Sequence, residues 1–392
     1  MRKYDFSSRL SRRSSSSQKW DVKEGELPLT IADMDFKAAP EIQDALERRV
    51  REGVFGYVQP NEEWKESIQG FYRRRHGYDI DKDWIVFSTG VIPTLSSSVR
   101  ALTEVGDKVI VTPPVYNIFY HSITNNRRII LPVPLLSKEK GSGLDFTGLE
   151  KAFKDPKAKL MLLCNPENPT GKVYSKEDLA RLGELARENG VVILSDEIHG
   201  ELTRPGISYN SYLFASEENR KNSLIALSPT KAYNLAGIKT SEMISADPVI
   251  RDKVASQLNI DECEEPNDFA IPAAIAAYGK GEDWLDSLRA VIDENEDVVI
   301  SFLEENKMPL TLSKAEATYL LWISTLPLTE DGDRLASFLR EKTGLMLTPG
   351  SLYGEEGKPF LRMNVAVPKE ELLDGLARLK EGIRQFLEEQ GK

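Results

Sequence analysis

Six short apolar runs, separated by stretches of helical periodicity, restrict this chain to one kind of architecture. They are Ile85 to Thr89, Val109 to Thr112, Ile129 to Val133, Leu160 to Cys164, Val191 to Ser195 and Leu224 to Leu227. None alternates apolar with polar, as a strand with one wet face does, so both faces are expected to be covered. Strands of that kind, alternating with helices, predict a mainly parallel sheet between two helical layers, an α/β fold. One crossover helix can be read directly. Ser175 is its N-cap, Asp178 occupies the third helical position, and Leu179, Leu182, Leu185 and Ala186 share a face before Asn189-Gly190 ends it.

A chain of 392 residues exceeds the size at which a single core stops growing, so two units are expected. Residues 46–283 would form the large domain. Residues 1–45 and 284–392 would form an N-terminal arm plus a smaller α+β domain. The second unit opens with a long helix over Trp284 to Glu305, carries strands at Thr318 to Ile323 and Phe360 to Val365, and closes with a helix from Pro368. The segment Met1 to Trp20, rich in Arg and Ser, reads as a surface arm.

Composition removes several classes of partner. The formal charge of -11, from 62 acidic against 51 basic side chains, would repel a nucleic-acid backbone. No apolar stretch approaches the ~20 residues of a membrane helix. Two cysteines, Cys164 in an apolar run and Cys263 among acidic residues and so expected exposed, make neither a disulfide framework nor a metal site. A reducing compartment, the cytoplasm, fits that usage.

The chemistry-bearing residues sit where the runs end. Lys231 follows the run 224–227, in Ser228-Pro229-Thr230-Lys231, and Asp196 ends the run 191–195 ahead of Glu197-Ile198-His199. Ligands of open α/β sheets bind outside the carboxyl ends of the strands, where both residues fall. An exposed lysine or an N-capping aspartate is the ordinary fate of either alone. Together they suit pyridoxal phosphate: an amine to hold the aldehyde as a Schiff base and a carboxylate to keep the ring nitrogen protonated. Asn165 to Gly171 brackets Asn168 with two prolines, which would aim its amide at the phenolic oxygen. Gly90, Val91 and Ile92 open a helix whose free amides suit a phosphate. Ser228 and Lys239 could add a hydroxyl and a charge there, His199 could reach the ring edge if its segment curls into a turn, and Tyr116 could stack on the ring. Arg362, within an apolar strand pattern, must be paired if buried, either with an acidic side chain or with a substrate carboxylate.

These residues, in this order, resemble the aspartate aminotransferase superfamily, fold type I of the pyridoxal phosphate enzymes. The resemblance covers nearly the whole chain. It is closest to the MalY/PatB group of cystathionine β-lyases and C-S lyases, on Arg12-Arg13 with Lys19-Trp20-Asp21, Ala32-Asp33-Met34-Asp35-Phe36, Phe55-Gly56-Tyr57, Gly90-Val91, Pro114-Val115-Tyr116, Ser195-Asp196-Glu197-Ile198-His199 and Ala317-Thr318-Tyr319-Leu320. It implies a mainly parallel seven-stranded sheet with a smaller α+β domain. It further implies Lys231 as the Schiff-base residue, Asp196 at the ring nitrogen, Asn168 at the phenolic oxygen, Tyr116 on the ring, Gly90, Val91 and Ser228 at the phosphate, and Arg362 on the substrate carboxylate. Tyr57 would reach the phosphate of a neighbouring subunit, which makes the expected assembly a homodimer. Ser14-Ser15, where many relatives have Gly-Thr, and Lys172, where they have Arg, bear on substrate preference and leave the cofactor set intact.

The expected activity is β-elimination from cysteine S-conjugates such as cystathionine, giving a thiol, pyruvate and ammonia. An aminotransferase would share the same residues, and a regulatory protein retaining the fold is a third reading.

Overall fold

The computed structural model describes residues 3–136 and 143–391. Its largest sheet has seven strands: β1 (Ile85–Ser88), β2 (Lys108–Val111), β3 (Ile129–Pro132), β4 (Ala158–Cys164), β5 (Val192–Asp196), β6 (Ser223–Leu227) and β7 (Ser241–Ile244). The order across the sheet is β1-β7-β6-β5-β4-β2-β3. Only β7 runs against its neighbours.

The six apolar runs are strands β1 to β6, within a residue or two at their ends. The seventh, Ser-Glu-Met-Ile, was missing from the six runs because Glu242 interrupts it. That glutamate is fully buried, and its carboxylate accepts from the Tyr278 hydroxyl. Burial holds its carboxyl proton up to about 8, so the group enters the core without a full charge.

Successive residues of β4 enter different cores, which is why its run carries no period of two, whereas the edge strand β3 is not covered as expected: Ile129 is 47% exposed, because among the described residues no strand pairs on its outer side. Leu160, Leu162 and Cys164 pack with Val91, Leu95 and Val99 of the helix Val91–Leu102 and with Val254 and Leu258. Met161 and Leu163 face Leu179, Leu182 and Ala186 of the crossover helix Lys176–Glu188. The Ser175 hydroxyl accepts from Asp178 N at 3.0 Å, and Gly190 takes the left-handed conformation expected after that helix.

Beyond the long helix Glu282–Glu305, an antiparallel sheet follows: β8 (Thr311–Leu312), β9 (Leu320–Ser324), β10 (Thr348–Pro349) and β11 (Phe360–Asn364). Strand β9 starts two residues later than expected, because Thr318 has φ +71 and turns the chain first. The final helix, Lys369–Glu389, packs on Gly332–Thr343. Leu27–Pro28 pairs in parallel with Leu345–Met346, tying the amino-terminal segment to this part of the molecule.

The arm is not a surface feature throughout. Tyr4, Phe6, Lys19 and Trp20 are all buried, and Phe6 packs on Phe36 and Trp284. Short apolar anchors spaced among Ser and Arg carry no periodicity, so no local pattern signals their burial. Cys263 likewise is half-buried, its thiol donating to Asp261 O at 3.2 Å, whereas Cys164 is buried as expected. Among the described residues no helix is long and apolar enough to cross a membrane, and no cluster of metal-ligating side chains occurs.

Candidate active site

The carboxyl ends of β4, β5 and β6 lie side by side, since Cys164 pairs with Asp196 and Asp196 with Ala226. Parallel pairing therefore carries residues distant in sequence to one edge. Asp196 is buried, and its carboxylate accepts from Ile198 N at 3.1 Å. Among the described residues no cation is in contact with it. Burial pushes its carboxyl up to about 7, and Lys231 offsets only part of that.

Lys231 lies in the turn Pro229–Ala232 directly after β6, and Ser228 caps that turn by accepting from Thr230 N at 3.1 Å. Its ammonium donates to Ala32 O at 2.6 Å. Burial lowers the Lys231 amine to about 8, with Asp33 pulling it up and Arg362 down. The amine therefore loses its proton within reach of neutral pH, as a nucleophile or proton carrier requires.

Arg362, on β11, arrives from the smaller sheet. It is 5% exposed, donating to Asn168 Oδ1 and Thr30 O at 3.1 Å each and lying over the Tyr353 ring. The acidic partner allowed for in the sequence is not there: among the described residues no carboxylate pairs with Arg362, and its Nε has no partner. A buried guanidinium bonded only to neutral oxygens is a receptor for an anion. The same contact fixes Asn168, whose oxygen is taken by Arg362 while its amide N–H groups remain for a ligand.

His199 sits in a turn closed by Gly200 N donating to Glu197 O at 2.9 Å, the curl that its proposed role needed. It is buried, its Nδ1 has no partner, and burial with Lys231 and Arg362 nearby lowers it to about 3. The ring is thus neutral. Tyr116 is half-buried, edge-on to Phe119, and electrostatically coupled to Asp196 and Arg362, with burial raising its phenol. Gly90 opens the helix Val91–Leu102 without any side-chain cap, so the Val91 and Ile92 amides stand at a free positive helix end.

Three of the expected residues are less committed. The Ser228 hydroxyl already donates to Thr240 O at 2.7 Å. Lys239 is exposed, with φ +60. Tyr57 is wholly exposed, in a stretch that also exposes Val54 and Phe55.

The structure adds groups that the residue-by-residue reading left without a role. Ala32 O accepts from both Lys231 and the Tyr319 hydroxyl, the latter at 3.1 Å. Asn364, two residues after Arg362, donates to Ile31 O and Asp33 O at 2.7 Å each. Backbone carbonyls carry no sequence signature, so only the unusual block around Ala32 and Asp33 pointed this way.

Fold and site together define an enzyme that works at the carboxyl edge of an open α/β sheet. The chain belongs to the class I and II aminotransferase family, whose model matches residues 24–379. It is 38% identical to cystathionine beta-lyase PatB of Bacillus subtilis, over 96% of this chain and 99% of that protein. It is 33% identical to protein MalY of Escherichia coli, over 97% and 99% of the two chains. Among solved structures, cystalysin from Treponema denticola, which contains a pyridoxal 5'-phosphate cofactor, superposes with a TM-score of 0.94 at 32% identity, covering 98% of this chain and 99% of that one.

Proposed function

We propose that this protein is a pyridoxal phosphate-dependent carbon-sulfur lyase that eliminates a thiol from Cβ of cysteine S-conjugates such as cystathionine. The observation that carries the reading is Arg362, buried and without an acidic partner, in electrostatic contact with Lys231 across a site that Asp196 also borders. The fit to the cofactor rests on groups whose hydrogen-bonding or charge capacity the described residues do not fill. These are the Asp196 carboxylate, the His199 and Asn168 nitrogens, and the uncapped amides after Gly90.

When bound, the cofactor supplies an electron sink for the bonds at the substrate's Cα. Asp196 would hold a proton at the ring nitrogen, Asn168 would donate to the phenolic oxygen, and Tyr116 would cover a ring face. The Val91 and Ile92 amides would hold the phosphate, joined by the Lys239 charge and by the Ser228 hydroxyl once it turns from Thr240 O. Arg362 would orient the substrate carboxylate, and the Lys231 amine would take the Cα proton and deliver it to the departing sulfur. Neutral His199 packs beside these groups without adding charge. Residues 46–283 form the cofactor-holding domain in this reading, and residues 1–45 with 284–392 form the part that brings Arg362. The exposed Tyr57 stretch supports a homodimer in which Tyr57 reaches the partner's phosphate site. The two free thiols suit the cytoplasm.

The names of PatB and its relatives favour elimination over amino transfer. The purified protein should form thiol and pyruvate in equal amounts from cystathionine without any added 2-oxo acid. Transfer to a 2-oxo acid without thiol release would instead establish an aminotransferase, and a colourless protein after reconstitution would remove the cofactor.

A further inference from the structure

One aromatic ring in contact with Arg362 has no part in the chemistry above. The guanidinium carbon lies over the ring of Tyr353, 5.0 Å from its centroid. Tyr353 ends the turn Gly350–Tyr353, directly after β10, and is 3% exposed. Trp322, the cross-strand partner of Arg362 on β9, meets that ring edge-on at 5.4 Å and is itself stacked on Phe360 at 4.8 Å. The strands that carry Arg362 therefore also fix the orientation of the ring beneath it.

The backbone of Tyr353 reaches the other side of the site. Its carbonyl accepts from Val115 N and from the Tyr120 hydroxyl, at 2.9 Å each. Val115 precedes Tyr116, so one residue joins the arginine's sheet to the segment that would cover the cofactor ring. The next residue, Gly354, has φ +123, and a Cβ there would lie 3.0 Å from the Tyr120 hydroxyl and 3.1 Å from Pro113 Cβ. That close approach leaves the turn little room to drift.

Packing alone would account for the ring but not for what stays free beside it. Asn168 Oδ1 and Thr30 O each take one hydrogen from a terminal guanidinium nitrogen, at 3.1 Å. Each of those nitrogens carries two, so among the described residues one N–H on Nη1 and one on Nη2 remain, the pair that a carboxylate accepts side by side. A flat cation stacked by its face on an aromatic ring keeps its edge for such bonds.

We propose that Tyr353 is a positioning residue for Arg362: its ring holds the face of the guanidinium so that the two remaining terminal N–H groups stay aimed at the α-carboxylate of the substrate. The inference rests on the role given to Arg362 above. It places Tyr353 in substrate binding and not in the chemical step, because the carboxylate is held alike before and during proton removal.

The test compares two ligands that differ only in that carboxyl group, S-methyl-L-cysteine and S-methylcysteamine, on the cofactor-loaded full chain. Affinity is read from the rapid change in cofactor absorbance as each is added, so no turnover is required. Tyr353→Leu should weaken the amino acid about tenfold and leave the amine unchanged, and KM for cystathionine should rise by the same factor with kcat held. Tyr353→Phe, which keeps the ring, should bind both ligands like the wild type. A ring that only fills space would lower the melting temperature and weaken both ligands alike or neither. Either result, or a Tyr353→Phe protein as weak as Tyr353→Leu, overturns the proposal. Should Tyr353→Leu not fold, Tyr353→Met, which fills a similar space without a ring, decides by the same comparison. Arg362→Ala supplies the reference and should lose the preference for the amino acid. An unchanged preference there would remove the carboxylate role of Arg362 and this proposal with it, whereas a loss in Arg362→Ala alone overturns only the part given to Tyr353. Because binding is read, absence of thiol release would count against the lyase reading alone.

Discussion

Asp35 and Asp196 are both buried carboxylates, 1% and 3% exposed, yet they are treated in opposite ways. Asp35 collects a guanidinium, an ammonium and an indole N–H within 2.7 Å. Among the described residues Asp196 receives a single backbone N–H, at 3.1 Å. A buried charge costs several kcal/mol unless it is paired. Full pairing at Asp35 makes it a fastener for the arm, and the deficit at Asp196 marks a place where a ligand completes the structure. Arg362 Nε and His199 Nδ1 share that deficit.

The contrast can be broken by substitution. The largest effect belongs to Lys231→Ala, which should lower β-elimination by roughly a thousandfold or more and abolish the visible absorbance of the covalently held cofactor; activity within tenfold of wild type would end the assignment. Next, Asp35→Asn should cost about 3 kcal/mol of stability by urea unfolding, because Arg12 and Lys19 lose their counter-charge in the interior. An unchanged urea midpoint would show that the cluster is not a clamp.

Asp196→Asn should do the reverse, lowering turnover roughly a hundredfold while leaving the cofactor-free protein no less stable than wild type. Its pH dependence has a defined sign. With the folded carboxyl raised to about 7, folded protein binds that proton more tightly than unfolded chain. Its contribution is complete below the ordinary aspartate range and disappears as pH rises through 7. The Asn variant should therefore lose less stability than wild type between pH 5 and pH 8, measured without cofactor. The smallest effect is expected for Arg362→Lys, which keeps the charge but not the fork. KM should rise about thirtyfold with kcat less affected, and an equal fall in both would move Arg362 from binding to the chemical step.

Two parts of the molecule differ in how readily the sequence revealed them. Strands β1 to β6 were legible because both of their faces are apolar, and the crossover helix because Ser175 and Gly190 bracket a regular stripe. Strand β7 was not, since Glu242 becomes compatible with a core only through Tyr278 and a raised carboxyl. The arm was misjudged for a related reason: Lys19 looks solvated until Asp35 is set beside it.

Lys231 and Asp196 are candidates from strand ends and Asn168 from its two flanking prolines, and parallel pairing brings the strand ends to one edge. Whether Arg362 had an acidic partner, and which carbonyl receives the Lys231 proton, depended on how β11 and the loop 30–36 meet that edge. Local patterning determined which residues stand at the rim of the sheet. Only the tertiary structure decided which of them remain unpaired, since pairing is a property of distance between segments that share no local pattern.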